Sequence, residues 1–290
     1  MSSIQGKKMN PSRFHKSQLK FYAILVPMAI VMGLPIVYIF SQALKPLDEL
    51  FIYPPKFFVK NPSLDNFAKL FEAMKNSEVP IYRYFYNSLL STVLLVVLTV
   101  FVTAFAGYAL SKKDFKAKNL IFSINTTALM FVPAAVKIPK YLVIYGTGLI
   151  DNFWVHIIPS LAMPVGLFLV KQFMDQIPNE LIEAAQVDGA RDWHIFIKII
   201  LPLSKSSLAT VIILTFQTAW NAVEASELYL NADNAKTFAY YMTTLTTTGN
   251  DVVGIGMSAA ATLIMFIPNL LIFIFMQKNV MNTMAHSGIK

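Results

Sequence analysis

With 290 residues, 56% of them hydrophobic and only 14% charged, the chain is too apolar for a water-soluble domain, and its mean hydropathy of +0.55 places it in a bilayer. The lack of cysteine excludes disulfides and thiolate metal sites, and His15, His156, His194 and His286 are too scattered to suggest a metal cluster. A net charge of +8 would advertise nucleic-acid binding only on a basic face of a soluble fold, so no nucleic-acid partner is expected.

Residues 1–18 are polar and carry Lys7, Lys8, Arg13 and Lys16, and an apolar run over 19–44 follows. That run can cross the ~30 Å hydrocarbon layer, whereas a signal-peptide core has only about 7–15 residues, so it reads as a signal anchor. Pro27 and Pro35 should kink it. In the long polar segment from Lys45 to Tyr84, Asn61-Pro62-Ser63-Leu64-Asp65 predicts a turn into a short helix from about Leu64 to Met74. Further spans are predicted at about 87–110, 119–145, 153–173, 207–229 and 256–277, followed by a tail over 278–290. The reading is an all-α membrane protein with six transmembrane helices, and an even number of crossings puts both termini on one side.

Lysines and arginines say which side. They concentrate in the amino-terminal segment, in the second loop (Lys112, Lys113, Lys116, Lys118) and in the fourth (Lys171, Arg191, Lys198, Lys205). The opposite side has fewer, mostly in one long loop. The positive-inside rule therefore predicts cytoplasmic termini and a cytoplasmic loop over 175–205.

Within that loop, Pro178 to Pro202 is a mostly polar island that reads as two short amphipathic helices meeting at a glycine. Leu181, Ala184 and Ala185 fall on one face of the first, away from Glu180, Glu183 and Asp188. Gly189 should stop it, since glycine best adopts the left-handed conformation that closes a helix. Trp193, Phe196, Ile197, Ile200 and Leu201 then repeat at helical spacing.

Glu183-Ala184-Ala185, three residues, Gly189, nine residues, Ile199, one residue and Leu201-Pro202 resemble the EAA signature of ABC-importer permeases. Asn87-Ser88-Leu89, Ala109-Leu110-Ser111, Gly148-Leu149-Ile150, Pro202-Leu203-Ser204 and Trp220-Asn221 are similar to the maltose-type, carbohydrate branch. Where that branch often continues Trp-Asn with an acidic then an aromatic residue, this chain has Ala222-Val223. The resemblance implies a type I importer permease fold in a bacterial inner membrane. It implies coupling helices in which Glu183, Ala184, Ala185, Asp188, Gly189, Trp193, Phe196, Leu201 and Pro202 meet a separate cytoplasmic ATPase dimer, Glu183 pairing with a basic group there. It also implies a second permease subunit, a paralogue, an extracytoplasmic solute-binding protein, and ATP and magnesium held by the ATPase. His286 to Lys290 look like a family ending that reaches into the ATPase dimer, or else a frayed terminus.

No G-x-x-x-x-G-K-[ST], H-E-x-x-H or G-x-S-x-G pattern occurs, so this chain is not expected to hydrolyse ATP or to bind a cofactor. Lys137, in the third span, costs roughly 2.5–3.5 kcal/mol at a helix centre and less near an interface, so it should face water or a partner, while Lys140 snorkels outward. Gln217, Asn221, Glu224 and Glu227 predict a polar stripe along the fifth span. Lys137, Asn221 and Glu224 either contact sugar hydroxyls or carboxylates, or Lys137 and Glu224 form a structural ion pair. Trp220 either stacks on a sugar ring or packs between helices, and Trp154 reads as an interfacial anchor. The rival function is an ATP-independent secondary transporter or channel, which would not need the EAA spacing.

Overall fold

A computed structural model describes residues 19–75, 78–248 and 252–287, and their side chains except over 246–253 and 278–287. The helices run in the order α1 (Leu19–Leu44), α2 (Leu47–Leu50), α3 (Asp65–Lys75), α4 (Ile81–Lys112), α5 (Lys118–Ala128), α6 (Pro133–Gly146), α7 (Ile158–Leu161) and α8 (Pro164–Asp175). They continue with α9 (Glu180–Val187), α10 (Asp192–Ile195), α11 (Leu201–Leu203), α12 (Lys205–Trp220), α13 (Glu224–Leu228), α14 (Phe238–Thr248) and α15 (Val252–Ser287). No strand occurs among the described residues.

Four helical segments are long and apolar enough to cross a membrane, and six crossings result if each of two bent pairs counts as one span. The predicted third span, 119–145, is a hairpin-like arch of α5 and α6 bent by 116°. Pro133 opens α6, and the residue before a proline is driven out of the helical region, so Val132 sits at φ −75°, ψ 130° and the ladder breaks. The predicted fourth span bends by 42° ahead of α8, where Pro164 acts in the same way on Met163. The predicted fifth span pauses after Trp220: the Asn221 side-chain amide donates to the Gln217 carbonyl at 2.8 Å, competing with the backbone for the last turn. α1 passes Pro27 and Pro35 as one helix of 26 residues.

Around α4 the packing is dense, with α8 and α12 lying against it. Gly107 permits this, because a Cβ there would come within 2.8 Å of Val170 Cγ1 on α8. Two apolar clusters mark the ends of α4. One, toward the α9 end, joins Ala104, Tyr108, Val170, Met174, Ile182, Ile195, Phe196 and Ile200. The other, at the opposite end of α4, joins Leu70, Met74, Tyr84, Trp220, Phe238 and Tyr241. α1 packs on α15 and α5 on α8, but the large apolar side chains of α1 and of the α5–α6 arch are mostly exposed.

Candidate functional site

The segment from 178 to 203 folds as an elbow. α9 ends at Asp188, and Gly189 takes φ +79°. Its N–H donates to the Gln186 carbonyl at 3.0 Å, and the Ala190 N–H reaches back to the Ala185 carbonyl at 2.9 Å. These are the two bonds of a Schellman closure, with Ala185 and Ala190 packed against the same apolar cluster. A Cβ at Gly189 would meet nothing within 4 Å, so the backbone angle alone demands glycine.

After the elbow, α10, one wide π turn over Phe196–Ile200 and α11 lead nearly continuously into α12. The Leu201 N–H bonds to the Phe196 carbonyl, five residues back. Pro202, which has no N–H and would crowd the Lys198 carbonyl in a regular turn, accounts for the widening. Ile195, Phe196 and Ile200 are buried, whereas Trp193 is 61% exposed and stacks at 5.7 Å on Phe105 of α4. The first limb corrects the expected face. Ile182 is buried and Ala185 half-buried, while Leu181 and Ala184 are exposed, because the wall that α9 meets is built by α8 and the second limb.

Glu183 is exposed, and among the described residues no hydrogen bond or ion pair holds its carboxylate. Asp188 and Arg191 are exposed, and no ion pair joins them among the described residues. Together with Ala185, Gly189, Ala190, His194 and Lys198 they line a concavity of about 530 Å3 in the bend. Two neighbouring lysines at the end of α4 hold the limbs. Lys112 Nζ donates to the Ile177 carbonyl at 2.5 Å and to Asn179 Oδ1 at 2.9 Å. Lys113 Nζ pairs with Asp192 Oδ1 at 2.5 Å, and that hydrogen bond holds the ammonium above its ordinary range.

Far from the elbow, the predicted polar stripe is divided. Gln217 and Asn221 are exposed on α12, and Asn221 exchanges amide hydrogen bonds of 3.2 and 3.4 Å with Asn269 of α15. Glu224 lies beyond the break on α13, where its Oε1 accepts from Lys140 Nζ at 3.1 Å and from the Tyr229 hydroxyl at 3.2 Å. Glu224 is thus paired, but by Lys140 rather than Lys137. Lys140 therefore turns inward to a carboxylate instead of snorkelling, while Lys137 is exposed. Trp220 is only 3% exposed, donates its Nε1–H to the Met265 carbonyl at 3.2 Å and stacks on Phe216, so it packs between helices and offers no face to a sugar. Trp154 is half exposed.

Residues 103–280, which include the whole elbow and α12, match the family described as "Binding-protein-dependent transport system inner membrane component". The chain belongs to that family. This inner membrane component is 28% identical over 285 residues to the arabinooligosaccharides transport system permease protein AraQ of Bacillus subtilis (strain 168), covering 95% of this chain and 99% of that one. It is 31% identical over 219 residues to the polygalacturonan/rhamnogalacturonan transport system permease protein YtcP of the same organism, covering 74% and 72%. Among solved structures, a chain of a bacterial ABC transporter involved in the import of the acidic polysaccharide alginate superposes with a TM-score of 0.72 at 21% identity, covering 93% of this chain and 99% of that one. The fold is accordingly that of an ABC importer permease.

Sequence reasoning missed four partners in this inner membrane component: Lys112 and Lys113 as holders of the elbow, Asn269 opposite Asn221, and Tyr229 beside Glu224. The doublet Lys112-Lys113 was visible only as positive charge, and nothing local marked Asn269. His286 to Lys290 lie outside the residues whose side chains are described, as do the basic residues of 1–18.

Proposed function

We propose that the protein is the membrane-spanning permease subunit of an ATP-driven importer, and that with a second, paralogous permease it forms the pathway for a carbohydrate, an oligosaccharide. A separate cytoplasmic ATPase dimer, which binds ATP and magnesium, seats the elbow 178–203. An extracytoplasmic solute-binding protein delivers substrate to the other mouth. Membership of a family of binding-protein-dependent inner membrane components supports that assembly, and the similarity to oligosaccharide and polysaccharide permeases supports the substrate class. The distribution of lysine and arginine supports cytoplasmic termini and a cytoplasmic elbow.

The observation that carries the reading is Glu183: an exposed carboxylate, with no partner among the described residues, on a bend whose shape is fixed by a Schellman closure. A held bend with a free charge at its surface suits a socket on another protein. The pathway would be bistable, with nucleotide and substrate each biasing the state they bind better. Gln217, exposed on α12, would present its amide to sugar hydroxyls, and the exposed Lys137 would suit a carboxylate-bearing sugar.

Glu183→Lys should insert normally yet lose ATP-dependent uptake and co-purification of the ATPase. Normal uptake by this variant would defeat the assignment. Uptake that persists after ATP depletion in the unaltered complex would favour a secondary transporter.

A further inference from the structure

The lysine pair belongs to a larger arrangement. α4 has 32 residues, so about 45 Å of helix separates its first turn from Lys113. Each end grips a loop with side chains. At the elbow end, Lys112 takes the Ile177 carbonyl and Asn179, Lys113 takes Asp192, and Phe105 stacks on Trp193. One limb is held by Lys112 and the other by Lys113, so the two cannot move as a unit without carrying the end of α4.

At the far end the grip is on 234–238, between α13 and α14. Arg83 Nε donates to the Asn234 carbonyl at 3.2 Å, and the Asn87 amide bridges the carbonyls of Asn234 and Lys236 at 2.8 and 2.9 Å. Ser88 Oγ accepts the Phe238 N–H at 2.7 Å. Asn87 and Ser88 are almost fully buried, so these bonds are shielded from exchange with water. Between the two grips α4 is uninterrupted and contains no proline.

We propose that α4 is a transmission rod: Lys112 and Lys113 are positioning residues that hand motion of the elbow to the loop 234–238 at the opposite face. This rests on the coupling role of the elbow and not on the identity of the substrate. The rod would tie nucleotide state on one side to the loop that faces the solute-binding protein on the other. A continuous helix clamped at both ends is a stiff connection, whereas the route through α12 is interrupted at Asn221–Val223.

The chain has no cysteine, so a single Ala232→Cys, exposed next to the gripped loop, is the one thiol of this subunit, and its labelling is read on this subunit's own band after the complex is separated. The experiment uses the whole complex in nanodiscs, with its ATPase, second permease and binding protein. The labelling rate of that cysteine by an impermeant maleimide is compared between nucleotide-free and ATP-vanadate states. The otherwise unaltered complex should change its rate by about fivefold or more, the low end of typical allosteric coupling. Lys112→Ala/Lys113→Ala should retain the ATPase but shrink the change well below the roughly fivefold floor of typical coupling. Asn87→Ala, which leaves the elbow untouched, should do the same, and the charge swap Lys113→Asp/Asp192→Lys should restore part of the response lost in Lys113→Asp alone.

A full response in both clamp variants would overturn the rod, as would an absent response in the unaltered complex. Loss of the ATPase from Lys112→Ala/Lys113→Ala would also overturn it, because the lysines would then build the docking surface rather than relay its motion. Retention of the ATPase by Glu183→Lys is a separate outcome that sinks the coupling reading itself.

Discussion

The elbow and the far end of α12 treat their charged residues in opposite ways. In the elbow the neighbours are tied down, Asn179 by Lys112 and Asp192 by Lys113, and Glu183 is left without a partner among the described residues. Around the end of α12 the polar groups consume one another: Asn221 with Asn269, Glu224 with Lys140 and Tyr229, Trp220 with the Met265 carbonyl. An exposed charge on a rigid mount is available to another protein at little reorganisation cost. A polar group already paired must first give up that partner before it can serve a ligand.

Substitutions at three places break or sharpen that contrast. Trp220→Ala has the largest expected effect on stability, about 3–5 kcal/mol, because it empties a buried site and removes one of the side-chain donors to the Met265 carbonyl, Asn269 being another. Thermal unfolding in nanodiscs measures it; a fully stable variant that has lost only transport would return Trp220 to the pathway. Gly189→Val comes next. An L-residue in the left-handed region costs roughly 1–2 kcal/mol, more when β-branched, so ATPase co-purification should fall about tenfold. Gly189→Asn should recover most of it, since asparagine tolerates that conformation.

The smallest effect belongs to the ion pair. Lys140 and Glu224 are each more than a third exposed, so a double-mutant cycle with Lys140→Met and Glu224→Gln should give a coupling of about 0.2–1 kcal/mol in stability. If uptake falls far more than stability in Glu224→Gln, the carboxylate serves the substrate as well as Lys140.

Much of the architecture is readable along the chain. The apolar runs mark the crossings, α3 appears within a residue or so of its predicted start, and the turn at Gly189 follows from one glycine among good helix formers. Pro133 and Pro164 announce breaks, but not that one arch would bend by 116° and the other by 42°. The buried face of α9 was misread through Leu181 and Ala184, because two short turns can present several faces and the choice fell to α8 and α10. Likewise, Lys137 and Lys140 are equivalent by composition. Only the approach of α6 to α13, 84 residues later in the chain, selects Lys140 for Glu224.

What the sequence by itself determined is local: which segments leave water for lipid, where prolines interrupt the backbone ladder, and where a left-handed glycine turns the chain. Partitioning and backbone sterics act over a few neighbouring residues and need no knowledge of the rest. Only the tertiary structure decided which polar side chains are spent on internal partners and which stay free, because hydrogen bonds and ion pairs act at contact range between helices distant in sequence.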